Sequence, residues 1–240
     1  MSPDPSSRPT PASRLGLHPD AILYLDEELV AVAKPSGVSV HRGWDRDGPF
    51  ALQQVRDRIG RHVFPVHRLD RPTSGVLVFG LSSEAARAVQ EQFQDGTVEK
   101  RYLTLVRGIP DEAGVIDHPV PRARDRAERV DAVTEYRRLG IFERYALVEA
   151  RPKTGRLHQI RRHMKHKSWH VIGDVKYGKG EHNRLFRERF DLRRLALHAL
   201  TLSLNRPADG ARLDLEVDPP PDLLEPLTAM GFGSDLWARV

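Results

Sequence analysis

Apolar positions along the chain fall into short runs broken by polar turns, with few long amphipathic blocks. Ile22 to Leu25 and Leu29 to Ala33 are two such runs, separated by Asp26-Glu27-Glu28, and they read as strand, turn, strand. Lys34-Pro35-Ser36-Gly37 ends the second, because proline lacks a ladder donor and glycine permits positive φ. Within Phe50 to Ile59, the residues Leu52, Val55 and Ile59 form a helical stripe that Gly60 stops. Val76 to Phe79 predicts a short buried strand. A helix follows, capped by Ser82 or Ser83, with Glu84 in its first turn, Ala85, Val89 and Phe93 on one face, and Asp95-Gly96 as its end. This strand-to-helix step is expected to set the preceding loop at the sheet edge.

Arg101 to Arg107 alternates in part with period two and predicts another strand, ending at Gly108. Pro119 to Asp131 is highly charged and reads as an exposed loop or hairpin. Tyr145 to Ala150, Leu195 to Leu204 and Leu213 to Val217 read as strands, and Leu157 to His166 as a helix with Leu157, Ile160 and Met164 as its buried stripe. Strands and helices mix without a regular βαβ repeat. The expected fold class is therefore α+β, a mixed, largely antiparallel sheet with flanking helices. Residues 1–17 are rich in Pro and Ser and poor in large apolar groups, which predicts a disordered tail. A single domain over 18–240 should follow, with packing that starts near Pro19.

Composition narrows the function classes. With 240 residues, 39% of them hydrophobic, a sizeable core is possible, and no apolar run reaches the roughly 20 residues of a bilayer span, so no membrane partner is expected. The start of the chain has no apolar leader core, which argues against secretion. The absence of cysteine excludes disulfide frameworks, thiolate zinc sites and cysteine nucleophiles, and fits a reducing cytoplasm. His158, His163, His166 and His170 lack a matched carboxylate, so no metal is expected. No glycine fingerprint for a nucleotide cofactor is present, and no coiled-coil heptad, so the expectation is a cofactor-free monomer.

Charge then points to a partner. From Arg156 to Arg194 there are twelve Lys or Arg against four Asp or Glu, an excess larger than the +5 of the whole chain. Interleaved with Trp169, Tyr177 and Phe186, this basic surface suits a polyanion. Two motifs carry candidate chemistry. In His67-Arg68-Leu69-Asp70-Arg71-Pro72-Thr73-Ser74-Gly75, one carboxylate lies between two arginines, which should keep it ionised and leave cations for phosphates. In Lys153 to Met164, a tight turn runs into a helix on which Arg161 flanks the apolar stripe. A partly buried guanidinium needs a carboxylate, because an unpaired one costs several kcal/mol. Asp70 is the candidate partner, and the sequence leaves others open.

Together with Lys100-Arg101-Tyr102, Gly108 and Leu197-His198-Ala199, these motifs resemble, in order, those of the RluA-type RNA pseudouridine synthases. The resemblance runs from about Ile22 to Pro219. Through Val40 to Trp44, Phe64 to Leu77 and Leu81 to Ala85 it is nearest the branch that modifies uridine 65 of tRNA, whereas Asp111 to Asp131 is shorter than in relatives. It implies a pseudouridine synthase catalytic domain that flips a uridine out of RNA and isomerises it without a cofactor. It also implies that Asp70 is the essential carboxylate, as nucleophile or base, that Arg161 holds it, and that Tyr102 stacks on the uracil with its phenol near C5. Lys34, Arg68, Arg71, Arg156 and Arg162 would bind RNA, with Arg68 inserted into the stack, and Leu197 and His198 would line the pocket. Three other readings stand beside this one. They are a non-catalytic RNA-binding protein, a glycosidase or phosphotransferase built on Asp70 but lacking a second acid in a comparable motif, and a synthase acting on ribosomal RNA.

Overall fold

A computed structural model describes residues 16–18, 20–43, 48–123 and 128–238. The expectations for residues 1–15, Pro19 and Trp44 lie outside the described residues. Leu17 is buried and its N–H donates to Gln54 Oε1, so packing reaches back past Pro19 into the stretch read as tail.

In chain order the elements are β1 (Ile22–Leu25), β2 (Leu29–Lys34), α1 (Ala51–Ile59), β3 (Phe64–Pro65), β4 (Ser74–Gly80), α2 (Ser83–Gln94), β5 (Glu99–Arg107) and β6 (Ala113–Asp117). There follow β7 (Val120–Pro121), β8 (Arg129–Val130), β9 (Val133–Phe142), β10 (Tyr145–Pro152), α3 (Gln159–His166), α4 (Gly180–Phe190), β11 (Leu197–Asn205), β12 (Arg212–Glu216) and α5 (Pro221–Ala229). Among the described residues, ten strands form one sheet in the order β1-β2-β4-β11-β5-β10-β9-β6, with β12 added to β11 and β3 to β4. Within that sheet only β4 and β11 run parallel. The fold is thus the mixed, largely antiparallel α+β type, and β7 with β8 makes the charged segment a hairpin.

The unbroken apolar run in β4 reflects burial on both faces. Leu77 and Phe79 pack with Ala51 and Val55 of α1, while Val76 and Val78 pack with Ala86 and Val89 of α2. Farther along the sheet the same division recurs: Leu103 and Leu105 meet Phe186 of α4 and Leu223 of α5, and Val106, Val148 and Ala150 meet Ile160 and Met164 of α3. Tyr102 packs against both the α1 cluster and the α3 cluster. Ser82 caps α2 by accepting the N–H of Ala85, and Gly60 ends α1 in the left-handed region.

Two expectations need correction. The loop carrying Asp70 enters β4, an interior strand between β2 and β11, and not a sheet edge. The helix expected from Leu157 begins at Gln159, because His158 takes a left-handed conformation with φ 52°; Leu157 stays outside the helix and only partly buried.

The parallel junction is unusually tight. Gly75 pairs with Ala199 across it and with Lys34 on the other side, at φ 122°. A Cβ there would sit 2.1 Å from the Ala199 carbonyl oxygen. Gly75→Ala must therefore part β4 from β11 as well as strain its own backbone. We expect a stability loss of about 3 kcal/mol or more in urea unfolding; a variant as stable as the parent would show that the junction yields freely.

Candidate active site

The loop before β4 is fastened at its backbone. Asp70 O accepts the N–H of Thr73 at 2.9 Å, closing a turn. Arg71 O accepts from Gly37 N–H at 2.9 Å and from Lys34 Nζ at 3.3 Å, and Pro72 O accepts from Ser36 Oγ at 2.8 Å. The Lys34-Pro35-Ser36-Gly37 turn thus serves as a clamp on residues 71 and 72. His67 adds a second fixing point, its Nε2 accepting the N–H of Val78 at 3.0 Å. Burial first, and the Lys100 charge second, push the His67 imidazole down to about 3, so it stays neutral and able to accept.

Arg161, 6% exposed, reaches across from α3. Its Nη1 donates to Asp70 Oδ2 at 2.7 Å. Its Nε and Nη2 donate to the two oxygens of Asp174 at 2.7 and 2.9 Å, a bidentate fork. Asp174 also accepts the N–H groups of Lys176 and Tyr177 at 2.9 and 3.0 Å. Burial opposes the charge on Arg161, but hydrogen bonds and charges from Asp174 and Asp70 outweigh it and raise the guanidinium above its ordinary value. Burial likewise disfavours the Asp174 carboxylate, and Arg161 with the two N–H donors overcomes it, lowering that group below 3.8. Asp174 lies in a turn after Gly173 with no periodic pattern, so sequence reasoning missed it.

His158 completes this arrangement. Its Nδ1 lies 2.9 Å from the Tyr177 hydroxyl, which accepts from Arg162 Nε at 3.2 Å. Its other ring nitrogen, Nε2, faces Asp70. That nitrogen is 3.7 Å from Asp70 Oδ1, too far for a hydrogen bond. Burial is the main force pulling His158 down to about 4, with Asp70 opposing and Arg161 assisting, so the ring is neutral at neutral pH. The left-handed backbone of a non-glycine residue at this point is strain held by its surroundings.

These groups open onto a cavity of about 490 Å³, whose walls include Arg68, Asp70, Tyr102, Arg156, His158, Arg161 and Leu197. Lys100 and Lys153 also line it, cations to which the sequence reading gave no role. Strand alternation selects the members: Lys100 and Tyr102 face inward while Arg101 between them turns away to Glu149. Tyr102 is in register with Ala199 on one side and Ala150 on the other, small neighbours on the same face. Burial, and after it the Asp70 charge, raise the Tyr102 phenol well above its ordinary value, so it stays protonated.

Four expected site residues sit elsewhere. His198 follows Leu197 on β11 and so faces the opposite side, where its Nδ1 meets Ser74 Oγ and its Nε2 donates to Val217 O. It is a strand-locking histidine and not a cavity wall. Lys34 is 1% exposed, and its ammonium donates to the carbonyls of Pro35, Val38 and Arg71. Its charge is spent on the clamp, which corrects its assignment to RNA. Arg71 is exposed next to that clamp, and Arg162 lies on the far side of Tyr177; neither lines the cavity.

The double carboxylate on Arg161 has a measurable consequence. Asp174→Asn leaves a buried guanidinium with one charged partner, and we expect a loss of about 3 kcal/mol in denaturant unfolding at neutral pH. Because the folded-state value of Asp174 lies below 3.8, its contribution is present above that pH and is lost as pH falls through the lower value. Stability below about pH 4 should therefore decline less steeply in the variant than in the parent. Parallel pH profiles would refute the pairing.

Known proteins resemble this chain. The family described as RNA pseudouridylate synthase matches residues 28–166. The chain is 48% identical to tRNA pseudouridine synthase C of Vibrio cholerae, with 78% of this chain and 85% of that protein covered. It is 46% identical to tRNA pseudouridine synthase C of Salmonella typhimurium, with 88% and 90% covered. Among solved structures, human RNA pseudouridylate synthase domain containing 4 superposes with a TM-score of 0.73 at 27% identity, over 88% of this chain and 93% of that one. With the family match spanning more than half of the chain and nearly the whole length of these relatives covered, the chain belongs to the RNA pseudouridylate synthase family and is an isomerase.

Proposed function

We propose that this enzyme converts uridine 65 of tRNA into pseudouridine, as a cytoplasmic monomer organised as a single catalytic domain over 18–240. The tRNA substrate is supported by 46–48% identity to proteins named tRNA pseudouridine synthase C. The chemistry rests on one observation, the 2.7 Å contact that ties Asp70 Oδ2 to Arg161 at the cavity wall. With Oδ2 engaged, Oδ1 is the oxygen left to act on the ribose. The absence of cysteine and of a heptad repeat supports the location and the monomer.

The target base is flipped into the cavity at a cost of a few kcal/mol in lost stacking. Tyr102 stacks on the uracil, and Ala150 and Ala199 beside it in register leave space for a base over its ring. Asp70 then either attacks C1′ or removes the 2′ proton, and both routes break the N1–C1′ bond. The freed uracil turns, C5 bonds to C1′, the C5 proton leaves and N1 gains one, so the reaction is isomerisation without redox change. Since the Tyr102 phenol is protonated, it starts as a donor, and the C5 proton goes to a base such as the regenerated Asp70 carboxylate. Arg68, on the cavity wall, inserts into the stack that the base leaves, and Arg156, with Arg71 nearby, contacts phosphates.

Two measurements test this. Asp70→Asn should have no detectable turnover on tRNA, and Arg161→Ala should lose about 10²–10³-fold or more in kcat while RNA affinity changes by only a few fold. Near-normal turnover in either would refute the carboxylate mechanism. Pseudouridine-specific labelling and sequencing of RNA from cells lacking the protein should show loss at tRNA position 65. A loss confined to ribosomal RNA would overturn the substrate assignment.

A further inference from the structure

On the other side of Tyr177 lies a second cavity, of about 500 Å³, that the reaction above does not use. Arg129, Arg162, Lys165 and Lys176 line it, and among the described residues no carboxylate does. Among the described residues, none of these four is within ion-pair range of an acidic group, whereas Arg101, Arg194 and Arg212 each pair with one. Arg162 is fixed by its bonds to Pro121 O at 2.8 Å and to the Tyr177 hydroxyl. Lys165 and Lys176 lie 5.8 and 5.5 Å from the Tyr177 ring centre.

Cations gathered in a concave site without counterions repel one another and draw in an anion. The C-terminal dipole of α3 accounts for a cation at Lys165, but not for Arg129 on β8 or Lys176 in the turn after Asp174. The cavity is also continuous in construction with the catalytic one. Arg161 and Arg162 are neighbours on α3, and Tyr177 joins His158 on one side to Arg162 on the other.

We propose that this cavity is a second subsite, which takes the phosphodiester backbone of the RNA adjoining the flipped uridine. The proposal rests on the RNA reading of the catalytic cavity. The three elements that supply its cations, α3, the β7–β8 hairpin and the turn of residues 174–177, form a cleft beside the reacting nucleotide. A chain of phosphates leaving the catalytic cavity meets it next.

The test is the double variant Lys165→Gln/Lys176→Gln, which leaves Arg161, Arg162 and Tyr177 in place. Binding of a transcribed tRNA carrying uridine 65 is followed by fluorescence anisotropy from about 50 to 200 mM KCl, and turnover by tritium release from C5. The expected result is an affinity about tenfold weaker, a log Kd against log salt slope shallower by about 2, and kcat at saturation within about twofold of the parent. Unchanged affinity and slope, in a variant with the parent's thermal melting curve, overturn the subsite. Inorganic phosphate should displace the RNA no better than chloride at equal ionic strength; specific displacement would make this a small-anion site and overturn the backbone assignment. A parent that binds tRNA but releases no tritium would instead overturn the catalytic reading, and the salt slopes would still decide the subsite.

Discussion

Arg161 lies almost wholly out of solvent, where an unpaired guanidinium would cost several kcal/mol, and two carboxylates from different parts of the chain hold it there. Buried ion pairs seldom add much net stability, since desolvation offsets their attraction. What the arrangement supplies is direction. The bidentate fork to Asp174 fixes the plane of the guanidinium, and the remaining Nη1 then fixes one oxygen of Asp70. A lysine would satisfy the charge but could not transmit orientation from one carboxylate to the other.

The sheet brings the two halves of that constraint together. Asp70 precedes β4, and Arg161 follows β10 through the turn into α3, so the pair is 91 residues apart in sequence. The parallel contact of β4 with β11 puts Gly75 against Ala199, and Ala199 is in turn opposite Tyr102. The loop entering β4, the tyrosine on β5 and the helix after β10 therefore meet at one end of the central strands. Arg194 reinforces this junction by donating to Ser74 Oγ at 2.6 Å, on the hydroxyl that also meets His198. Neither lines the cavity; they hold the strands that form it.

Much of this was legible in the chain. The α1 stripe, the Ser82 cap and the buried run of β4 have local signals that burial on one or both sides reproduces. Asp70 was named as a candidate for Arg161, since a helical arginine flanking an apolar stripe requires a carboxylate, but that argument left other partners open, and the bidentate one, Asp174, went unseen. The misses have physical causes. β9 mixes Glu135, Arg137 and Arg138 with apolar residues on a half-exposed strand, which blurs alternation. α5 contains Pro221 and Pro226, ordinarily breakers, the first sitting harmlessly at the helix start. Lys34 and His198 were misassigned because residue type tells which chemistry is available but not which way a side chain points. His158 was read only within a motif and among candidate metal ligands, since no local pattern marks its left-handed backbone and its partner Tyr177 is nineteen residues away.

That partnership bears on how binding and chemistry share one short helix. With 3.6 residues per turn, adjacent positions on α3 point about 100° apart, and here Arg161 lines the catalytic cavity while Arg162 lines the basic one. One faces Asp70; the other faces the basic cavity and donates to Tyr177. The Tyr177 hydroxyl that accepts from Arg162 Nε also bonds His158 Nδ1, and His158 Nε2 lies 3.7 Å from Asp70 Oδ1. The guanidinium on the binding face is thereby joined through two hydrogen bonds to His158, whose ring sits beside the carboxylate on the reacting face.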